Sequence, residues 1–320
     1  MNAPTRLALY GAGLAVAFAT AFGVSGALVP PSAVTAWAEQ AHSQPHTGGD
    51  GMDMGATAAG SEDLKGLSLS AHGYVLSPIT APRTTGEAGH LSFRVETTAG
   101  TPVTSFATSH DKQLHLVVVR ADGSGYRHVH PSLDTSTGTW SIPWRWDAAG
   151  TYRAYADFAT TGKDAQAATL TRALEVTGSY TPVATMLSRT DSVDGFDVAV
   201  EGDLVANASS RLTISVTRDG RPLTTLQPYL GAFGHLVALR EGDLAYLHVH
   251  AEGSEPKAGQ LSGPAIAFAA EAPTAGRYLL YLDFQVDGQV HTAQFVLDAA
   301  PGTPAVSHGA GASSDSHGGH

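Results

Sequence analysis

Two stretches of this 320-residue chain can be laid over each other. LHLVVVRADGSGYRHVHP (Leu114 to Pro131) matches GHLVALREGDLAYLHVHA (Gly234 to Ala251) at a constant offset of 120, with His, Leu, Val, Arg, Tyr and an HVH triplet in common. Further on, AAGTYRAYADF (Ala148 to Phe158) matches TAGRYLLYLDF (Thr274 to Phe284) at an offset of 126. Upstream, LSFRVETTAGTPVT (Leu91 to Thr104) matches LTISVTRDGRPLT (Leu212 to Thr224). A tandem repeat of one domain is the strongest constraint on the fold, because each unit of roughly 115 residues must form its own core.

The runs LSFRV, HLVVVR, TYRAYADF, LTISV, HLVAL, RYLLYLDF and HTAQFVLD alternate or are apolar throughout, and clusters of Gly, Pro, Asp and Asn separate them. That spacing predicts antiparallel sandwiches of about seven strands, and 36 Gly, 17 Pro and only 15% charged residues suit it. The expected fold is therefore all-β: two tandem immunoglobulin-like antiparallel β-sandwich domains after one N-terminal transmembrane helix. The expected segments are a membrane anchor or signal peptide (1–38), a linker (39–63), a first sandwich (64–179), a second sandwich (180–300) and a tail (301–320).

Leu7 to Val29 holds 23 residues without a charge, enough to span a hydrocarbon core of about 30 Å. Arg6 precedes it and the next basic residue is Lys65, so the N-terminus is expected in the cytoplasm and the body outside, in a single-pass cell-membrane arrangement. Ala36-Trp37-Ala38 offers the alternative of secretion after cleavage. Segments 39–63 and 301–320 are too poor in large apolar groups to offset their ordering entropy, so both are expected to be disordered. They carry His42, His46, Met52 and Met54, and His308, His317 and His320, which read either as a flexible metal-catching arm or as solvated spacer.

The chain has no cysteine, which excludes disulfides, thiolate metal sites and a thiol nucleophile. A formal charge of -11 argues against nucleic acid as a partner. No Ser-His-Asp order, paired-carboxylate spacing, phosphate loop or HExxH points to an enzyme.

The 15 histidines are clustered, and hairpin register decides which of them meet. Asp122-Gly123 is a strong two-residue turn signal; it opposes Val117 to His128 and His115 to His130. Gly242-Asp243 does the same in the second unit, opposing Val237 to His248 and His235 to His250. Each hairpin then presents three histidines on one face, close enough to converge on one ion. Leu116, Val118 and Val129, and Leu236, Ala238, Leu247 and Val249, occupy the other face, expected in the core, so that the His face is left as a surface groove. Two like sites are expected: His115, His128 and His130 in one, His235, His248 and His250 in the other. Asp157 and Asp283, equivalent by the repeat, are candidates for orienting an imidazole or for a fourth ligand. His110, Asp111 and His291 have no counterpart and read as peripheral. Metal is expected to be lost as pH falls through the ordinary histidine pKa of about 6.5.

An anchor, a His/Met-bearing linker and paired β-domains carrying H-L-V…H-V-H resemble actinobacterial exported proteins grouped with the CopC-like and YtkA-like heavy-metal-handling extracytoplasmic domains. The resemblance implies copper handling outside the membrane, but CopC-type proteins begin with a ligand His, which this chain lacks. The reading is a metal-binding protein, copper before zinc because the thioethers of Met52 and Met54 suit Cu(I), that buffers or hands on its ion. Its alternative is a cell-surface interaction module with structural histidines and an extracytoplasmic protein partner.

Overall fold

The structure, a computed structural model, describes residues 66–302 apart from Asp164, His248 and Ala258. The expected anchor at Leu7 to Val29, the linker and the tail lie outside the described residues, and with them His42, His46, Met52, Met54, His308, His317 and His320. Among the described residues all regular structure is β-strand, and no helix is long and apolar enough to cross a membrane.

Each repeat folds as two sheets. In the first, one sheet runs in the order Ser70–Ala71, Tyr74–Leu76, Gly89–Thr97, Thr139–Trp144, Ser132–Asp134; the other runs Ala167–Val176, Gly150–Thr160, Leu114–Arg120, Arg127–Val129. The second repeat pairs Thr190–Val193, Phe196–Glu201, Ser209–Arg218, Ala265–Glu271 and Val249–Ala251 in one sheet. Its other sheet holds Leu204–Val205, Gln289–Ala300, Gly276–Val286, His235–Arg240 and Tyr246–Leu247. Among the described strands, pairing is antiparallel except where Leu204–Val205 joins Gln289–Ala300; two isolated bridges, Thr84 to Thr177 and Thr85 to Trp146, are also parallel. Alternation fills each sandwich: Leu91, Phe93, Leu116, Val118, Trp140 and Phe158 are core residues of the first, Val198, Ile214, Leu236, Phe268, Leu280 and Phe295 of the second.

A third apolar cluster joins the repeats. Val117, Val119, Tyr126 and Tyr155 of the first pack with Val237, Leu239, Leu244, Leu279 and Tyr281 of the second. These are the opposite-face neighbours of the core residues, so strand Leu114–Arg120 is buried along its whole length on both faces. Its sheet therefore lies against the sheet that carries His235.

The contact has a pseudo-two-fold character, as the repeat requires. Tyr126 stacks on Tyr281 with ring centroids 4.0 Å apart and 2° between planes, and the equivalent rings Tyr155 and Tyr246 meet at 5.7 Å. The Tyr155 hydroxyl donates to the Leu244 carbonyl at 2.6 Å, and the Tyr281 hydroxyl to the Gly123 carbonyl at 2.6 Å. Buried hydroxyls with good acceptors make this face specific as well as apolar.

The expected surface groove is thus corrected. The face that bears His115 and His235 is not left open, because the alternating positions beside them are valine and leucine, and an apolar sheet face of that size is buried against its own duplicate.

Candidate metal centre between the repeats

The hairpin of the first repeat is locked at its tip. Arg120 donates through Nε and Nη2 to both Asp122 oxygens at 3.0 and 2.8 Å. Ser124 and the Val183 amide donate to the same carboxylate. Burial works to raise the Asp122 pKa, but Arg120 and these donors outweigh it and hold it at about 2. From this tip the strands pair Val118 with Arg127, Val117 with His128 and Leu116 with Val129. The register brings His115, His128 and His130 onto one face, with ring centroids 5.0 to 5.2 Å apart.

The second hairpin has the corresponding pairing, Ala238 with Leu247 and Leu239 with Tyr246, and then departs from the first. Val249–Ala251 leaves for the other sheet, where His250 pairs with Ala269 and is exposed. His248 lies outside the described residues. Two like sites are therefore corrected to a single composite cluster among the described residues: His235 leaves His250 and joins the first repeat's three histidines across the interface. Its ring stacks parallel to that of His115 at 5.7 Å and lies 4.9 Å from that of His128.

Ligand nitrogens of His115, His128 and His235 lie within 4.8 Å of one another. His115 Nδ1 is 3.0 Å from His128 Nε2 and 3.3 Å from His130 Nε2. Tetrahedral coordination with metal–nitrogen bonds of about 2.0–2.1 Å requires nitrogens roughly 3.3 Å apart. The two contacts of His115 are close to that spacing, while His235 lies within 4.8 Å of His115 and His128 and has to move inward to reach it.

The outer nitrogens fix how the rings point. His115 Nε2 is 3.1 Å from the Ser109 carbonyl, which only accepts, so that nitrogen carries the proton and Nδ1 keeps its lone pair. His128 Nδ1 is 2.9 Å from Oδ2 of Asp283, and with Asp283 ionised His128 Nε2 likewise turns a lone pair inward. Two lone pairs facing each other at 3.0 Å call for a cation or a proton between them.

Burial supplies the proton when no cation is there. His128 and Asp283 side chains are 1% and 2% exposed. Desolvation, reinforced by His115 and His110, lowers His128 to about 3, while desolvation raises Asp283 to about 7 against the Thr292 hydroxyl bond. Below about pH 7 the contact is a hydrogen bond between neutral groups rather than an ion pair. The protonated acid donates to His128 Nδ1, and His128 donates onward to His115. Burial also lowers His130 to about 3, with repulsion from His128 and His115 adding to it. It lowers His115 and, more strongly, His235.

Asp283 therefore orients a histidine of the other repeat. Asp157, its equivalent, pairs with His115 in the sheet register and accepts from Thr169 at 2.7 Å. His110, read from sequence as peripheral, stands at the rim with its ring 5.8 Å from that of His235 and 6.1 Å from that of His115. The absence of a repeat partner hid it. His291 sits elsewhere, bonded to Asp194 at 2.7 Å.

A family described as a domain of unknown function, DUF8832, matches residues 71–175 and again residues 191–301. The chain belongs to that family. DUF8832 occurs twice here, once per sandwich, and it takes the place of the CopC-like and YtkA-like resemblance, which no comparison supports. No curated protein matches. Among solved structures, the BSP domain of a biofilm-associated protein is 14% identical over 71% of this chain and 30% of its own, with a TM-score of 0.21. Fibronectin(III)-like modules of Clostridium thermocellum CbhA are 11% identical over 77% of this chain and 100% of theirs, at 0.19. The Yersinia pseudotuberculosis adhesin InvE is 10% identical over 72% of this chain and 60% of its own, at 0.20. The chain spans less than a third of the length of the first of these.

Proposed function

We propose that the protein binds one transition-metal cation at the interface of its two sandwiches, through His115, His128, His130 and His235, and buffers the ion or hands it on outside the cell membrane. The observation that carries this reading is the pair of outer hydrogen bonds, from His115 to the Ser109 carbonyl and between His128 and Asp283, which aim two ring nitrogens at one point. Acceptors of this kind are what orient imidazoles at metal centres. Four neutral nitrogens without thiolate suit Cu(II) or Zn(II), copper binding more tightly of the two. A set of four protein ligands leaves no open position for a substrate, so the reading is non-enzymatic. The uncharged span Leu7 to Val29 supports export and anchoring.

Calorimetric titration of the untagged exported body with Zn(II) and with Cu(II) tests it. One equivalent is expected, lost in both His128→Ala and His235→Ala. Two equivalents, or one equivalent that survives both changes, would place the ion elsewhere. The rival reading, an interaction module with structural histidines, is supported by the apolar packing of the His-bearing sheets; it predicts a folded wild type that takes up no metal.

A further inference from the structure

The His115, His128 and His235 rings are buried and His130 is half-buried, so an ion needs a way in. A cleft of about 540 Å³ opens between the repeats beside the cluster, lined by Ser109, His110 and Asp111 on one side and by Phe233, Glu252 and Glu255 among others on the opposite side. We propose that this cleft is the loading route for the cation and that His110 is the ligand that first takes it, an inference that rests on the metal centre proposed above.

The turn that carries His110 is the second argument. Ser109 and Lys112 exchange backbone hydrogen bonds at 2.8 and 3.1 Å, closing a two-residue turn in which His110 and Asp111 both have positive φ, 47° and 62°. Such a turn is ordinarily made by Asn-Gly, which adopts it without strain. His and Asp are among the few non-glycine residues that occupy such positions. What the position gains is an exposed imidazole within ring-contact distance of two buried ones. The same turn offers the Ser109 carbonyl that orients His115, so one short loop both aims a buried ligand and displays an exposed one. Asp111 and Glu255 at the mouth add negative charge, which raises the local concentration of cations; Glu252 beside them is paired with Arg211 at 3.0 Å.

Apoprotein mixed with Co(II) in a stopped-flow cell, followed by the absorption of nitrogen-bound cobalt, separates loading from holding. His110→Asn keeps the turn, because Asn like His tolerates positive φ, and His110→Gly is a second variant that also keeps it. Both are expected to retain one equivalent and the wild-type spectrum, with loading and chelator-driven release slowed about tenfold or more. Glu255→Gln is expected to slow loading and reduce its salt dependence. Wild-type rates in both His110 variants would overturn the proposal. So would a changed spectrum or a lost equivalent, since His110 would then be a resident ligand. A wild type that binds no cobalt, zinc or copper would instead fail the metal centre itself.

Discussion

Asp283 and His128 form the pair on which the centre turns, because they come from different repeats and share one proton. With Asp283 raised to about 7 and the histidines lowered, binding a dication near pH 6 should displace a proton mainly from the carboxyl group and little from the imidazoles. Calorimetry in buffers of different ionisation enthalpy should then count about one proton released in the wild type and close to none in Asp283→Asn. The same change should weaken metal affinity about 10–100-fold, the usual cost of losing such an acceptor. A proton count unaffected by Asp283→Asn would place the titrating group elsewhere. The repeat made Asp157 and Asp283 visible as equivalents, and the HVH triplets marked His128 and His130. That His128 would meet the other repeat's aspartate was not legible, because strand periodicity tells which face a side chain takes but not what covers that face.

Strand Leu114–Arg120 is the element that both repeats need. Leu116 and Val118 fill the first core while Val117 and Val119 fill the interface. Its apolar run, LVVV from Leu116 to Val119, is the pattern of a strand buried on both sides, yet the strand reads as one-sided as long as the repeats are taken to be separate beads. The register next to each turn was legible from Asp122-Gly123 and Gly242-Asp243: Val117 pairs with His128 as expected, and Ala238 with Leu247 keeps the second register, whereas the expected pairing of His235 with His250 is not formed. The sheet change that carries His250 away was not legible, since HVHP and HVHA look alike and the difference lies in where each strand leaves its partner. Val117→Ala removes two buried methyl-sized groups and should cost roughly 2 kcal/mol of stability. Val290, 44% exposed, should change stability by no more than about 0.5 kcal/mol when replaced by Ala. Urea unfolding of the metal-free protein followed by tryptophan fluorescence compares the two, and equal effects would mean that the interface strand is not packed as described.

At the scale of the whole molecule, neutral histidines buried between two sandwiches make stability depend on pH. Unfolded imidazoles titrate near 6.5, whereas burial holds His128 and His130 at about 3 and lowers His115 and His235. Between those values the unfolded chain binds protons that the folded chain refuses, so stability falls as pH falls below 6.5. Asp283 acts in the opposite sense: its folded pKa of about 7 lies above the unfolded 3.8, so acidification through that window favours the folded state. Four groups oppose one, and the net sign is loss. The urea midpoint of the metal-free protein should therefore decline steadily from pH 6.5 to 4.5. Zn(II) should delay that decline, because the fold already holds the imidazoles in the neutral form that coordination needs, so metal loss begins well below the value expected for exposed histidine. At about 100 times the dissociation constant the ion adds roughly 2.7 kcal/mol. Because its ligands come from both repeats, that gain should appear in the unfolding of both sandwiches together. An apoprotein midpoint that stays flat between pH 6.5 and 4.5, with no displacement by zinc, would show that the four rings are not held neutral at a shared interface.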